Sequence, residues 1–146
     1  MRARIIVGLL ALFAIFNTST TAGDKNASKL DGTWVEVAYE NFGKVSEIPK
    51  AEQGTHTFAQ GMLKIKVLAL KLDKEGTYAV DDTRKPKHLD LTYKIGDKLQ
   101  TMQCIYEVSG DTLRIAQPSA GPKGARPTEM KSGTQAQIKM FKRHKE

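Results

Sequence analysis

Apolar and polar side chains alternate along most of the chain, in short runs that Gly, Asn, Asp and Pro residues interrupt. A period of two residues is typical of a β-strand with one buried face and one exposed face. Turn-forming residues at each break favour short antiparallel connections. The pattern therefore predicts about eight strands, at residues 32–40, 55–59, 63–72, 77–80, 88–93, 99–108, 112–116 and 135–142.

The stretch 63–72 is the longest predicted strand and the least regular one. Its apolar residues keep one phase up to Val67 and take the other phase from Leu68, so we expect a β-bulge between these two residues. A helix is the competing interpretation of this Leu- and Lys-rich stretch. We favour the strand, because residues 73–76 then form a hairpin turn into the strand at 77–80.

The order of these elements predicts the architecture. No long helical pattern separates the strands, which excludes a parallel sheet with crossover helices. Eight consecutive antiparallel strands favour a closed up-and-down barrel, because closure removes the exposed sheet edges. A barrel of this size holds packed side chains or one small ligand inside.

The N-terminal pattern is that of a secretory signal. Two arginines precede an apolar run at 5–16, and small or polar residues follow up to Ala22. The run is shorter than the roughly 20 residues that span a bilayer. We therefore expect cleavage after Ala22, export to the periplasm or the extracellular space, and no stable membrane span afterwards. A retained N-terminal anchor is the alternative, and residues 23–29 are predicted to be a flexible lead-in.

Composition restricts the kinds of partner expected for the 124 residues that remain after removal of residues 1–22. They carry 21 basic and 16 acidic side chains, a net charge of +5. The basic residues are scattered and lack interleaved aromatic side chains, so we expect no nucleic-acid partner. Cys104 is the single cysteine of the sequence. It excludes an intramolecular disulfide and a zinc site built from several cysteines.

Three local patterns point to a known domain. They are LDGTW at 30–34, KPKHLDL at 85–91 and IYEVSGDTLR at 105–114, and RPTE at 126–129 and KMFKR at 139–143 follow. With these patterns the chain resembles an uncharacterised, lipocalin-like domain family known chiefly from planctomycete bacteria, over roughly residues 30–143. The resemblance implies an all-β lipocalin-like barrel over residues 30–146 in an exported protein. It implies no activity.

The Gly32-Thr33-Trp34 segment resembles the Gly-x-Trp that opens the first strand of lipocalins. This likeness implies that Trp34 plugs the closed end of the barrel. It also implies that Arg143, or else Lys142, packs across the indole ring from the last strand, which is a favourable cation–π arrangement. Typical lipocalins continue into a C-terminal helix, whereas this chain stops three residues after Arg143. Their ligand-binding roles are therefore not transferred.

Strand phase nominates the side chains inside the barrel. We expect a cavity lined by inward-facing residues that include Tyr78, Leu91, Tyr93, Met102, Tyr106 and Leu113. Asp90 faces the other way on its strand, and Arg126 is held in an extended segment by the following Pro127. If their segments meet, the two form a bidentate pair. That pair is either a polar anchor in a ligand mouth or, as we favour, a clasp that pins a loop. The candidate ligand-binding residues are Tyr78, Asp90, Tyr93, Met102, Tyr106 and Arg126.

Catalytic chemistry has little support in the sequence. Cys104 shares a phase with Met102 and Tyr106, which predicts a buried, inert thiol. The His residues and carboxylates lack metal-ligand spacing, and no serine has a nucleophile-elbow pattern. We expect no catalytic residue, metal or cofactor. An enzyme would require a perturbed His88 or Asp90 facing a pocket.

Two functions remain in view. The leading interpretation is an exported barrel that binds a small, partly apolar molecule. The alternative is a structural or protein-interaction module of the cell envelope, with a filled barrel. Its contacts would be the basic segment at 142–145 and the loop at 117–127.

Overall fold

A computed structural model describes residues 27–146, and the predicted signal segment 1–22 lies outside them. The last residues of the predicted lead-in belong to one helical turn, α1 (Ala27–Leu30). Nine strands follow: β1 (Gly32–Asn41), β2 (Lys44–Glu47), β3 (Thr55–Ala59), β4 (Met62–Val67), β5 (Leu72–Asp81), β6 (Lys87–Ile95), β7 (Lys98–Ser109), β8 (Thr112–Pro118) and β9 (Ala136–Arg143). Three short 3₁₀ turns lie at Lys50–Glu52, Leu68–Leu70 and Gly121–Lys123.

Eight of these strands close a barrel. Strands β3 to β9 pair in chain order, β1 pairs with β3 on one edge, and β1 pairs with β9 on the other. Every pairing is antiparallel. The predicted all-β, up-and-down, lipocalin-like barrel of about eight strands is therefore confirmed.

Strand β2 lies outside this ring. It pairs with the last four residues of β1, whereas β3 pairs with the first four. The sequence did not predict β2, because three of its four side chains are exposed and show no buried face.

The hairpin between β4 and β5 differs from the prediction. The expected bulge after Val67 is a turn, at Leu68–Leu70, and Lys71 follows it with a left-handed φ of 50°. The expected turn at 73–76 lies inside β5 and pairs with β4. Gly76 is required there for space, since a side chain at this position would collide with the Thr92 carbonyl oxygen. The change of phase in the apolar pattern after Val67 therefore coincides with the turn between β4 and β5, and not with a bulge inside one strand.

The barrel has a closed end and an open end, the mouth. At the closed end α1 and the buried side chains Leu30, Trp34, Phe58, Leu63, Leu89 and Leu113 fill the interior. The connections β1–β2, β4–β5, β6–β7 and β8–β9 lie at the mouth. No helix among residues 27–146 is long and apolar enough to cross a bilayer.

The connection between β8 and β9 covers part of the outer wall. Met130, from this loop, packs on a second small core made of Ile105, Ala116 and Ile138. Ser132 accepts a hydrogen bond from the Gly43 N–H and donates one to Glu40 Oε1. The loop is thereby held against the β1–β2 hairpin.

Candidate functional site

A cavity of about 320 Å³ opens at the mouth of the barrel. Its volume is near the lower end of the roughly 300–1,000 Å³ typical of small-molecule sites. One part of the wall is apolar, and its larger members are Ile65, Val67, Leu70, Leu72, Leu91, Ile115 and Phe141. The rest is polar, with Glu36, Glu52, His56, Lys74, Tyr93, Gln117 and Lys139.

Two of the charges in the cavity neutralise each other. The Lys139 ammonium lies 3.1 Å from Glu36 Oε1 and donates a hydrogen bond to Oε2 at 3.2 Å. The Glu36 side chain is only 12% exposed. A carboxylate this far from water needs a counter-charge, and Lys139 supplies it inside the barrel.

His56 adds an uncharged polar group to the wall. It is buried and packs edge to face on Phe141, with ring centroids 4.9 Å apart. Burial, helped by the charge of Lys139, lowers the pKa of His56 from 6.5 to about 3. The imidazole is therefore neutral near pH 7. Its Nδ1 has no hydrogen-bond partner within the described chain.

Lys74 is the cation of the cavity that lacks a counter-charge. Its cross-strand partner is the buried Ile65, which places both side chains on the inner face. The Lys74 ammonium lies 5.4 Å from the centroid of the Tyr93 ring, a cation–π distance. No carboxylate among residues 27–146 lies within 4.0 Å of this ammonium. Burial raises the pKa of Tyr93, so its hydroxyl keeps its proton.

The residues predicted to line a cavity divide between the mouth and the core. Tyr93 and Leu91 line the cavity, whereas Met102 and Leu113 belong to the buried core. Tyr78 and Tyr106 also face inward, but they lie below the cavity. The Tyr78 hydroxyl donates to Asp31 Oδ1 at 2.7 Å, and the Tyr106 hydroxyl donates to Asp82 Oδ1 at 2.6 Å.

Asp90 and Arg126 meet on the outer wall of the barrel, not in its mouth. Arg126 Nη2 donates to Asp90 Oδ1 at 2.6 Å, and Arg126 Nη1 donates to the carbonyl oxygen of Cys104 at 2.6 Å. The guanidinium thus bridges a carboxylate and a backbone carbonyl, instead of binding both carboxylate oxygens. Neither residue lines the cavity.

Trp34 and Arg143 meet at the closed end. They are cross-strand partners in the β1–β9 pairing, and the guanidinium carbon lies 4.1 Å from the centroid of the indole ring. This is the arrangement that the resemblance to lipocalins implied.

The polar side of the cavity was missed at the level of the sequence, although strand phase contained a signal. Glu36 follows Trp34 by two residues, and Lys139 precedes Phe141 by two, so each shares a face with a buried aromatic residue. The predicted turn at 73–76 contains Lys74, so strand phase gives no inward direction for this side chain, whereas the structure places it in β5 opposite Ile65. His56 precedes the inward-facing Phe58 by two residues.

Neither a metal site nor a similarity to a known protein indicates what the cavity binds. Among residues 27–146, no three His, Cys, Asp or Glu side chains converge in a way that suits a metal ion. No protein family, curated protein or solved structure matches the chain.

Proposed function

We propose that the protein binds one small molecule in the mouth cavity, with an apolar body and an anionic end group. The observation that carries this proposal is a cavity of about 320 Å³ whose apolar wall faces an uncompensated lysine, Lys74. The apolar wall favours hydrocarbon or aromatic groups, because their transfer from water contributes about 25 cal/mol per Å² of buried area.

The electrostatics of the cavity favour an anion over a cation. Glu36 is already paired with Lys139, so it offers little to a cationic ligand. Glu52, the other acid of the wall, is exposed on the 3₁₀ turn Lys50–Glu52, where water and salt screen its charge. Lys74 has an aromatic neighbour, Tyr93, but no carboxylate of the described residues within 4.0 Å. A carboxylate or sulfonate group of the ligand, placed near Tyr93, would supply the missing negative charge. The neutral His56 can donate or accept a hydrogen bond, and it therefore suits a further polar atom.

A fluorescent anion tests the proposal. 8-Anilinonaphthalene-1-sulfonate combines an aromatic body with a sulfonate and becomes fluorescent in apolar surroundings. We expect saturable binding by the native protein, and at least a tenfold loss in Leu72→Trp, which fills the cavity wall. Leu99→Trp is the matched control, because Leu99 lies at the same end but outside the cavity. Equal binding by both variants would refute the cavity as the site.

The charge of the end group is tested separately. Lys74→Gln should weaken binding of the anionic dye about tenfold, since an ion pair in a partly desolvated site contributes roughly 1–3 kcal/mol. It should leave binding of a neutral dye such as Nile red unchanged. Lys64→Gln is the control, because Lys64 is exposed on the neighbouring strand, where it pairs with Glu75. If both dyes respond alike to Lys74→Gln, the preference for an anion is wrong.

We also propose that residues 1–22 direct export. The support is the charged, apolar and small-residue order of the N-terminus, together with the resemblance to an exported family. Intact mass and N-terminal sequencing of protein isolated from its source cells should give Gly23 as the first residue. A chain beginning at Met1 would contradict cleavage.

A further inference from the structure

Large exposed apolar side chains gather at the mouth of the barrel. Phe42, Leu68, Leu70 and Leu99 are 73%, 84%, 74% and 68% exposed. They lie in or next to three connections, β1–β2, β4–β5 and β6–β7, which all reach the same end. We call these four residues the apolar rim. At the closed end, Met62 alone among the described large hydrophobic residues is exposed to a comparable degree.

Exposed lysines accompany the apolar rim. Lys71 follows Leu70, and Lys98 precedes Leu99. Lys94 is the cross-strand partner of Leu99. Lys44 follows Phe42 by two residues. In the described chain, Asp97 is the one exposed acid within two positions of any rim residue. The tips therefore combine apolar side chains with positive charge.

This combination fits an anionic bilayer surface. Single exposed apolar residues are common on proteins, but four of them around one opening form a pattern that calls for a partner. Apolar side chains enter the boundary between headgroups and acyl chains, and lysines beside them reach lipid phosphates. A second copy of this chain suits the rim poorly, because the lysines of two facing rims would repel each other.

We propose that the apolar rim docks the barrel, mouth downwards, on an anionic membrane surface. The proposal goes beyond ligand binding and does not require an occupied cavity. Docking in this orientation brings the opening of the cavity to the level of the lipid headgroups. A ligand with an apolar body and an anionic end group, as proposed for the cavity, then has a path between the bilayer and the cavity that avoids bulk water.

Two tryptophan reporters test the orientation of the full chain. Leu70→Trp places a probe on the rim, and Met62→Trp places one at the closed end, while the native Trp34 is fully buried. With vesicles of phosphatidylcholine and phosphatidylglycerol, the emission of Leu70→Trp should shift to the blue. Brominated acyl chains should quench this emission and leave that of Met62→Trp unchanged. Attachment through the N-terminal apolar run, which precedes α1 in the sequence, would quench Met62→Trp instead and overturn the proposal.

The charge contribution is measured by vesicle sedimentation. Lys71→Gln combined with Lys98→Gln should weaken binding to anionic vesicles about 30-fold, because each lysine near the surface contributes about 1 kcal/mol. Lys85→Gln combined with Lys142→Gln removes the same charge away from the mouth and should change binding much less. Equal losses in both pairs would show nonspecific attraction and contradict rim docking. Analytical ultracentrifugation without lipid tests whether a second copy of this chain covers the rim instead. A dimer that Leu70→Ser disrupts would also overturn the proposal.

Discussion

The guanidinium of Arg143 lies over the indole ring of Trp34 and closes the barrel at the end opposite the cavity. Its Nη1 donates to the Asp31 carbonyl oxygen at 2.9 Å, and its Nη2 donates to the Lys29 carbonyl oxygen at 3.1 Å. The indole N–H donates to the carbonyl oxygen of Leu30 at 2.8 Å. The last strand and the first strand are thus joined to α1 by one stacked pair.

Replacing Arg143 should destabilise the fold without emptying the cavity. Arg143→Ala loses a cation–π contact and two charge-assisted hydrogen bonds, and we expect the free energy of unfolding to fall by about 2 kcal/mol. Urea unfolding followed by circular dichroism measures this loss. Lys142→Ala, at the exposed neighbouring position, should change the free energy by less than about 0.5 kcal/mol. Equal losses in Arg143→Ala and Lys142→Ala would contradict the proposal that Arg143 stabilises the closed end of the barrel.

The clasp between Asp90 and Arg126 should hold the β8–β9 loop on the outer wall. Arg126→Ala removes the bonds to both Asp90 and the Cys104 carbonyl, so the segment 119–135 should open more often. Amide hydrogen exchange should become faster in this segment and stay unchanged in β3 to β5. Lys123→Ala, at an exposed site in the same loop, is the control. Binding of the anionic dye should not change, and a loss would return the pair to a role in ligand binding.

The closed barrel could be predicted from the sequence because its physical cause is local. Alternating apolar residues specify strands, and the turn residues between them specify antiparallel neighbours. The β4–β5 turn was misplaced because Gly76 signals a turn when it is considered alone. In the structure, position 76 requires glycine because the backbone of Thr92 on the next strand lies too close for a side chain. No local sequence pattern contains this contact.

The polar side of the cavity depends on contacts between distant residues. Glu36 and Lys139 belong to the first and last strands of the ring, and only closure brings them together. The β-bulge between Glu36 and Ala38 changes the face on which the later residues of β1 lie, so simple alternation fails beyond it. Trp34 and Arg143 were identified because a resemblance, rather than alternation, linked them.

Cys104 should be unreactive in the folded protein. Burial raises the pKa of its thiol from 9.0 to about 12, and the thiolate is the reactive form. We expect iodoacetamide to label Cys104 at pH 8 only under unfolding conditions, as mass spectrometry would show. Gln103→Cys in a Cys104→Ala background moves the thiol to the exposed outer face, where labelling should be rapid without denaturant. Rapid labelling of native Cys104 would contradict the buried position.

His56 should make the stability of the barrel depend on pH. Burial lowers the pKa of His56 from 6.5 to about 3, so the unfolded chain binds more protons than the folded chain between these values. Its contribution to stability is complete above pH 6.5 and decreases as the pH falls towards 3. Between pH 6.5 and 4.5 the free energy of unfolding should fall by about 2 kcal/mol from this group, and carboxyl groups titrate mainly below that window. Urea unfolding at a series of pH values should show this slope in the native protein and in His144→Gln, an exposed control. The slope should largely disappear in His56→Gln, and an unchanged slope in that variant would assign the pH dependence to another group.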